Sequence, residues 1–259
     1  MLSLLTPFRS HKYLLLQLTQ KEIKARYKQS FVGYAWILLN PLALLAIYTF
    51  VFSLIFRFPT NDIPYSIFLF SALLPWIFLQ TSISSATNSL VNHADLLKKV
   101  AFPREVIPYS IIIGKLMDFL FASVVFFALL LFNNIPLHPT AFLFIPIFLI
   151  QIILTTGISL FLAAANLLYR DIQYLTSLVL LLWFYATPVV YPLSLVPSQY
   201  VWVYKLNPMV GIVEAYRSVL FGYPLESSIL IWAAIVSVII FAGSFVFFKK
   251  IEKIFADIV

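Results

Sequence analysis

Residues 95–108 read DLLKKVAFPREVIP, a short polar and basic island between two long apolar runs. Asn92, with Asp95 three residues on, is a loose variant of the capping box, so a helix is expected to start there. Leu96, Leu97 and Val100 fall on one side of it, and Lys98 and Lys99 stand near its C-terminal end, where the helix dipole favours cations. Pro103 ends the turn, and Pro108 opens the next apolar run where its missing N–H costs little. A connection that only joined two membrane spans needs no amphipathic, Pro-terminated helix. The stretch reads as a handle, gripped by another protein on the cytoplasmic side, and the runs flanking it read as membrane spans.

Composition agrees with spans. Of 259 residues 62% are hydrophobic and 10% charged, with a mean hydropathy of +0.99, whereas soluble domains carry about 25% charged residues. The chain is an integral membrane protein, best counted in segments of about 20 apolar residues. Its net charge of +7 is spread over short inter-span segments, so no nucleic-acid partner is expected. The absence of cysteine excludes disulfides and Cys-based metal sites. Arg9, His11 and Lys12 follow the first apolar residues and no small-residue cleavage site appears, so the N-terminus is expected to be kept rather than removed as a signal peptide.

The expected fold is all-α, a single transmembrane domain of six spans. They lie at about 35–56, kinked by Pro41; 65–90, with Pro75 and Trp76; 107–132; 140–165; 174–190, short and aromatic; and 228–248, closed by Lys249, Lys250 and Lys253. The hydroxyls of Thr81 to Ser89 serve as helix–helix glue or face water. Thr155, Thr156, Gly157 and Ser159 allow close helix contact. Lys115 and Asp118, at i, i+3 near the start of the third span, can neutralise one another, with a proton relay as the alternative.

Two segments are helical without being spans. In residues 12–28, Gln17, Gln20, Lys21, Lys24 and Lys28 share one face, Leu16, Ile23 and Tyr27 lie beside it, and Glu22 can pair with Arg26. This suits a helix in the headgroup plane with lysines toward anionic lipid or a partner, or simply a basic surface anchor. Residues 191–226 are broken by Pro192, Pro197, Pro208 and Pro224. They read as one or two short helices dipping into the outer leaflet, a re-entrant element whose backbone must be covered by protein or a cavity. With both termini inside, thirteen of the 17 Lys and Arg fall on the cytoplasmic side, as the positive-inside rule requires.

Chemistry is sparse. Spans with almost no charge make a poor secondary transporter or ion channel, although a stand-alone channel or carrier is the alternative reading. There is no P-loop, and no cluster of acids and histidines suggests a metal site or an acid–base pair, so no enzyme activity is expected. Energy for transport would come from a partner.

Several segments carry a resemblance: KEIKARYKQSFVGYAWILLNPL (21–42), LLPWIFLQ (73–80), LLKKVAFPREVIP (96–108), NLLYRDIQ (166–173), WFYATPVVYP (183–192) and NPMVGIVEAYRSVLF (207–221). In this order, over nearly the whole chain, they resemble the permease subunits of polysaccharide-exporting ABC transporters of the O-antigen, capsule and teichoic-acid group. The resemblance implies a homodimer of six-span subunits in the bacterial cytoplasmic membrane, above two copies of a separate ATPase that holds the ATP and Mg. It also implies a channel for a glycan on an undecaprenyl-diphosphate lipid. In the matching motifs, Leu97, Lys98, Lys99, Phe102, Pro103, Arg104 and Glu105 would form the coupling helix and its exit, within residues 92–106. Lys21, Glu22, Lys24 and Arg26 would belong to the interface helix, and Arg170 and Asp171 to the second cytoplasmic turn. Local pairing at a helix start is the plainer reading of Arg104 and Glu105.

A polysaccharide path needs flat apolar faces for sugar rings, and aromatics make up 17% of the chain. Trp36, Tyr48, Trp76, Trp183, Phe184, Tyr185 and Tyr191 are the candidates, each equally readable as an interface belt. Glu214 and Arg217, at i, i+3, either pair with one another or meet the diphosphate or glycan.

Overall fold

The computed structural model describes residues 11–27, 31–55, 63–99 and 102–255, and among them there is no strand. Helix α1 (Lys12–Tyr27) precedes α2 (Trp36–Thr49), which is entered by a 3-10 turn at Gly33–Ala35 and leaves through a π-helical turn at Phe50–Ile55. Then come α3 (Tyr65–Thr87), the handle as α4 (Ser89–Asn92) and α5 (Ala94–Lys99), and α6 (Val106–Phe132). The chain continues with α7 (Phe144–Leu168), α8 (Ile172–Tyr185), α9 (Ser198–Leu206), α10 (Pro208–Phe221) and α11 (Ser227–Ile251).

Among the described residues five helices are long and apolar enough to cross a bilayer: Gly33–Ser53, Tyr65–Thr87, Val106–Phe132, Pro139–Leu168 and Ser227–Ile254. The fifth expected span differs. Its helix α8 has 14 residues, about 21 Å at 1.5 Å per residue, against a hydrocarbon core of about 30 Å. Pro188 is the reason: it has no N–H to give the helix and biases Thr187 away from helical backbone. The chain therefore leaves α8 unwound, short of the length of a full span.

Apolarity on every face sends α3 to the centre. Of its spanning window 78% is buried, against 11% for the first span and 22% for the last, and it packs on α2, α6, α7, α8 and α10. The most extensive pairing is α7 with α11. Gly157 permits it, since a Cβ there would lie 2.7 Å from the Cα of Phe241; the small-residue stripe expected in the fourth span does bring two backbones together.

Buried apolar side chains form two clusters. The larger is built around α3. The smaller gathers Leu18 of α1, Leu97 of the handle, Val106 of α6, Leu167 of α7 and Phe248 and Phe255 of the C-terminal segment. Both ends of the described chain thus meet at one end of the bundle, here the basal end; Tyr65 and the 186–226 region mark the distal end.

Helix α1 exposes the expected polar stripe at Gln17, Gln20, Lys21 and Lys24, and its buried face differs from the expected one. Leu15, Leu18 and Thr19 are its buried positions while Leu16 is 52% exposed, because α1 packs along α6 and the Thr19 hydroxyl donates to the Leu15 carbonyl with the Ser110 carbonyl 3.4 Å away. Lys28 and the side chains of Arg26 and Tyr27, including the expected Glu22–Arg26 pair, lie outside the described residues, as does Val100. The handle helix starts at Ala94: the His93 carbonyl accepts from Leu96 and Leu97, and Asn92 closes α4 instead of capping α5. The proline-broken stretch holds two short helices, an unburied α9 and a largely buried α10. The Asn207 side chain caps α10 by accepting from Met209 N, ahead of Pro208 at the first helical position. Gly222, at φ +73°, ends it in the left-handed conformation.

Candidate functional site

At the basal end the handle is pinned by Leu97, 2% exposed, which turns Asp95, Lys98 and Lys99 outward. Arg170 and Asp171, on the connection between α7 and α8, are also exposed. One amide joins the two connections. Asn166 donates from Nδ2 to the Thr87 carbonyl at 3.1 Å and to Asn88 Oδ1 at 3.2 Å, while its Oδ1 accepts from Gln173 N at 3.0 Å. Helix α1 joins them through Glu22, whose carboxylate lies 3.4 Å from His93 Nε2 while Nδ1 of that ring is 2.9 Å from the Ser89 carbonyl. Lys21 and Lys24 point away from the bundle.

The exit of the handle turns inward. Phe102, Pro103 and Arg104 are half-buried, and Glu105 is 1% exposed. Lys249 Nζ reaches Glu105 Oε2 at 2.7 Å and Glu252 Oε2 at 2.8 Å. Arg104 N donates to Glu252 Oε1 at 2.9 Å, and its guanidinium donates to the Glu252 carbonyl. Arg104 and Glu105 therefore do not pair with one another, as the plainer sequence reading had it. Each takes a partner on the C-terminal segment, and Glu105 offers no surface to a second protein.

At the distal end the unwound exit of α8 poses a different problem: its carbonyls have no next helical turn, and bare carbonyls are costly in an apolar setting. The Thr187 carbonyl accepts from Val189 N at 2.7 Å, and five others are met by side chains. Tyr191 OH donates to the Tyr185 carbonyl at 2.7 Å and Asn207 Nδ2 to that of Ala186 at 3.2 Å. Arg217, only 2% exposed, donates to the Pro188 carbonyl at 2.7 Å and the Val189 carbonyl at 2.9 Å, and Tyr65 OH donates to that of Val190 at 2.6 Å. Arg217 also holds Glu214 at 2.9 Å and lies 3.7 Å over the Phe68 ring. The expected Glu214–Arg217 pair is present, and the main task of the arginine is to hold the broken span.

The aromatic candidates fall into two groups. Trp76 and Phe184 are buried between α3 and α8: Trp76 meets Trp183 edge-on at 6.0 Å and Phe184 at 5.5 Å, and Tyr48 stacks on Phe184 at 5.8 Å. Trp183 is half-buried and donates to Asn207 Oδ1 at 2.9 Å. Tyr185 and Trp36 are exposed at 58% and 49%. Tyr191 is half-buried against the Tyr204 hydroxyl at 3.1 Å. Trp36 is apart from the others and lines, with Asn40, Thr81, Lys115 and Asp118, a cleft of about 110 Å³ between α2, α3 and α6.

Sequence reasoning passed over Asn166, Tyr65, Gln151 and Glu252. Gln151 is 0% exposed; it donates to the Pro75 carbonyl at 2.7 Å and accepts from Tyr216 at 2.9 Å. A lone amide in the middle of an apolar span was the available signal. Nothing local marked Glu252.

Comparison with known proteins bears on these elements together. The model of the ABC-2 type transporter family matches residues 13–221. Over 258 residues the chain is 33% identical to the O-antigen export system permease protein RfbA of Myxococcus xanthus, covering 98% of each chain. It is 33% identical to a protein of the same name from Klebsiella pneumoniae over 246 residues, 95% of this chain and 94% of that one. The polysialic acid transport protein KpsM of Escherichia coli is 28% identical over 226 residues, 85% of this chain and 86% of that one. The matched lengths take in the handle, the second basal connection and the broken fifth span. This multi-pass membrane chain belongs to the ABC-2 type transporter family, whose members are transport permeases and not enzymes.

Proposed function

We propose that the chain is the membrane-spanning half of an ATP-driven exporter that moves lipid-linked polysaccharide outward across the bacterial cytoplasmic membrane. It works as a homodimer over two copies of a separate ATPase, which hold the nucleotide and its Mg, and its basal end, with both termini, faces the cytoplasm. Relatives named for O-antigen export and polysialic acid transport support the class of cargo. The undecaprenyl-diphosphate carrier follows from the resemblance of the motifs.

One observation carries the reading. The basal end presents charged side chains on a stiff mount: Lys98, Lys99, Arg170 and Asp171 stand outward, while Leu97 and Asn166 behind them are 2% and 1% exposed. A purely connecting loop has no need of such backing; a surface that takes load does. The same reading places the exposed Trp36 and Tyr185, with Tyr48, Trp183 and Tyr191, on the side where two protomers enclose the path.

The test is the double reversal Lys98→Glu with Lys99→Glu in cells carrying the ATPase. Both positions are exposed, so the permease inserts normally. Like charges set against a partner cost several kcal/mol, so export falls by at least about tenfold, 1.4 kcal/mol. Unchanged export from that variant, or export that survives ATP depletion in the wild type, would overturn the proposal.

A further inference from the structure

The ion cluster behind the handle has no part in the reading above, and it lies where the handle ends. We propose that Glu105 and Lys249 are a positioning pair that passes displacement of the handle to α11, and so to the span packs beyond it. The inference rests on the reading that an ATPase loads the handle.

Three features support it. Glu105 is the residue immediately before α6; its side chain makes no cap bond to its own helix and reaches to Lys249 on α11 at 2.7 Å. The ammonium is shared with Glu252 at 2.8 Å, and Glu252 also accepts from Arg104 N at 2.9 Å. With the Arg104 guanidinium donating to the Glu252 carbonyl, the exit of the handle is tied to the C-terminal segment three times, through side chains and backbone. Second, the tie is directional. Leu97 and Phe248 belong to the basal apolar cluster, whose contacts let surfaces slide, whereas a charge-assisted hydrogen bond to a buried carboxylate loses much of its energy when its atoms move apart. Glu105 is 1% exposed, so its carboxylate depends on Lys249, whose own side chain is 32% exposed, for the charge that balances it.

Third, what the pair moves is connected. α11 meets α7 backbone to backbone at Gly157 and Phe241. Farther along α7, Gln151 bonds to the Pro75 carbonyl of α3 and to Tyr216 of α10. The next residue, Arg217, holds the Pro188 and Val189 carbonyls of the broken span. The pair is the point at which coupling through this series of contacts is tested.

The experiment compares Glu105→Lys, Lys249→Glu and the two combined, in cells and in the purified complex with its ATPase. The combination restores one lysine between two glutamates. Export is read as surface glycan on intact cells, labelled by periodate oxidation and a fluorescent hydrazide, and hydrolysis as phosphate release. Each single reversal keeps ATPase binding and hydrolysis while export falls at least about tenfold, within the range for directly paired residues, and the exchange recovers most of it. Unchanged export in the single variants overturns the proposal. So does an exchange as defective as either alone, or a loss of export that only tracks the amount of assembled complex. If the reversals fail to accumulate, Glu105→Gln is read the same way: lowered export with intact hydrolysis supports the pair, and wild-type export refutes it. ATP-independent export by the wild type would instead remove the underlying reading of the function.

Discussion

Replacing Arg217 with methionine removes the donors that hold the end of α8 and leaves a side chain of similar length. The Pro188 and Val189 carbonyls, both buried, lose their partners at 2.7 and 2.9 Å, and each stranded carbonyl costs about 1–3 kcal/mol. The contact 3.7 Å over Phe68 is lost as well, worth about 1–2 kcal/mol for a desolvated cation. Relief of the guanidinium's own desolvation offsets part of this. Glu214 is 31% exposed and can turn to water, so it is not left as a buried charge. The balance is a loss of about 3 kcal/mol, at the lower edge of the range for breaking a buried pair. At about 2–4 °C per kcal/mol for a chain of this size, the melting temperature in mild detergent drops by about 10 °C. Arg217→Lys keeps the charge but not the fork and loses about half as much. Tyr65→Phe, removing only the donor to Val190, loses about 1–2 kcal/mol. Arg217→Met melting within about 2 °C of the wild type would refute the claim that this arginine holds the break.

Two further substitutions test the packing. Gly157→Ala places a methyl 2.7 Å from the Phe241 Cα and 2.8 Å from its N; backbone cannot step aside, so the helices part and stability falls by about 1–3 kcal/mol. Gly243→Ala, with nothing within 4 Å, is the control, and equal melting of the two would contradict the close approach. Asn166→Leu leaves the Gln173 N–H without its 3.0 Å acceptor and should raise amide hydrogen exchange at residues 172–174 by about tenfold or more, given about 1–3 kcal/mol for an unmet buried group. Unchanged exchange there would show that the two basal connections are held by something else.

Most of the fold was legible because the bilayer allows few alternatives. A backbone with no water must bond to itself, so long apolar runs can only be helices, and Pro188, Pro192, Pro197 and Pro208 mark where the runs stop. What could not be read is which face a helix turns inward. In KYLLLQL the leucines cover several directions, so periodicity could not choose Leu15 and Leu18 over Leu16. Trp76 had the same ambiguity: in a helix apolar all round, nothing distinguishes a path-lining tryptophan from one that is 1% exposed. Long-range polar pairs were hidden for another reason. Glu105 and Lys249 are 144 residues apart, and Arg217 bonds to backbone atoms, which no residue type announces.

The two apolar clusters bear on how a load at the basal end can matter at the distal one. Soft clusters joined only by side-chain contact would absorb a displacement, since side chains change rotamer at little cost. On α7 the clusters are contiguous: Leu154 belongs to the larger and Leu160 to the smaller. Gly157 lies midway between them, at the point where no side chain separates α7 from the backbone of α11. A shift of α11 delivered through Lys249 therefore enters the larger core through touching main chains. Gly157→Ala then has a second consequence beyond its cost in stability. By forcing α7 and α11 apart it lowers export more than a stability-matched substitution far from this seam, with hydrolysis by the ATPase unchanged. If the two variants export alike at equal membrane abundance, close backbone contact does not carry the load, and the coupling of the two ends must run through α6 instead.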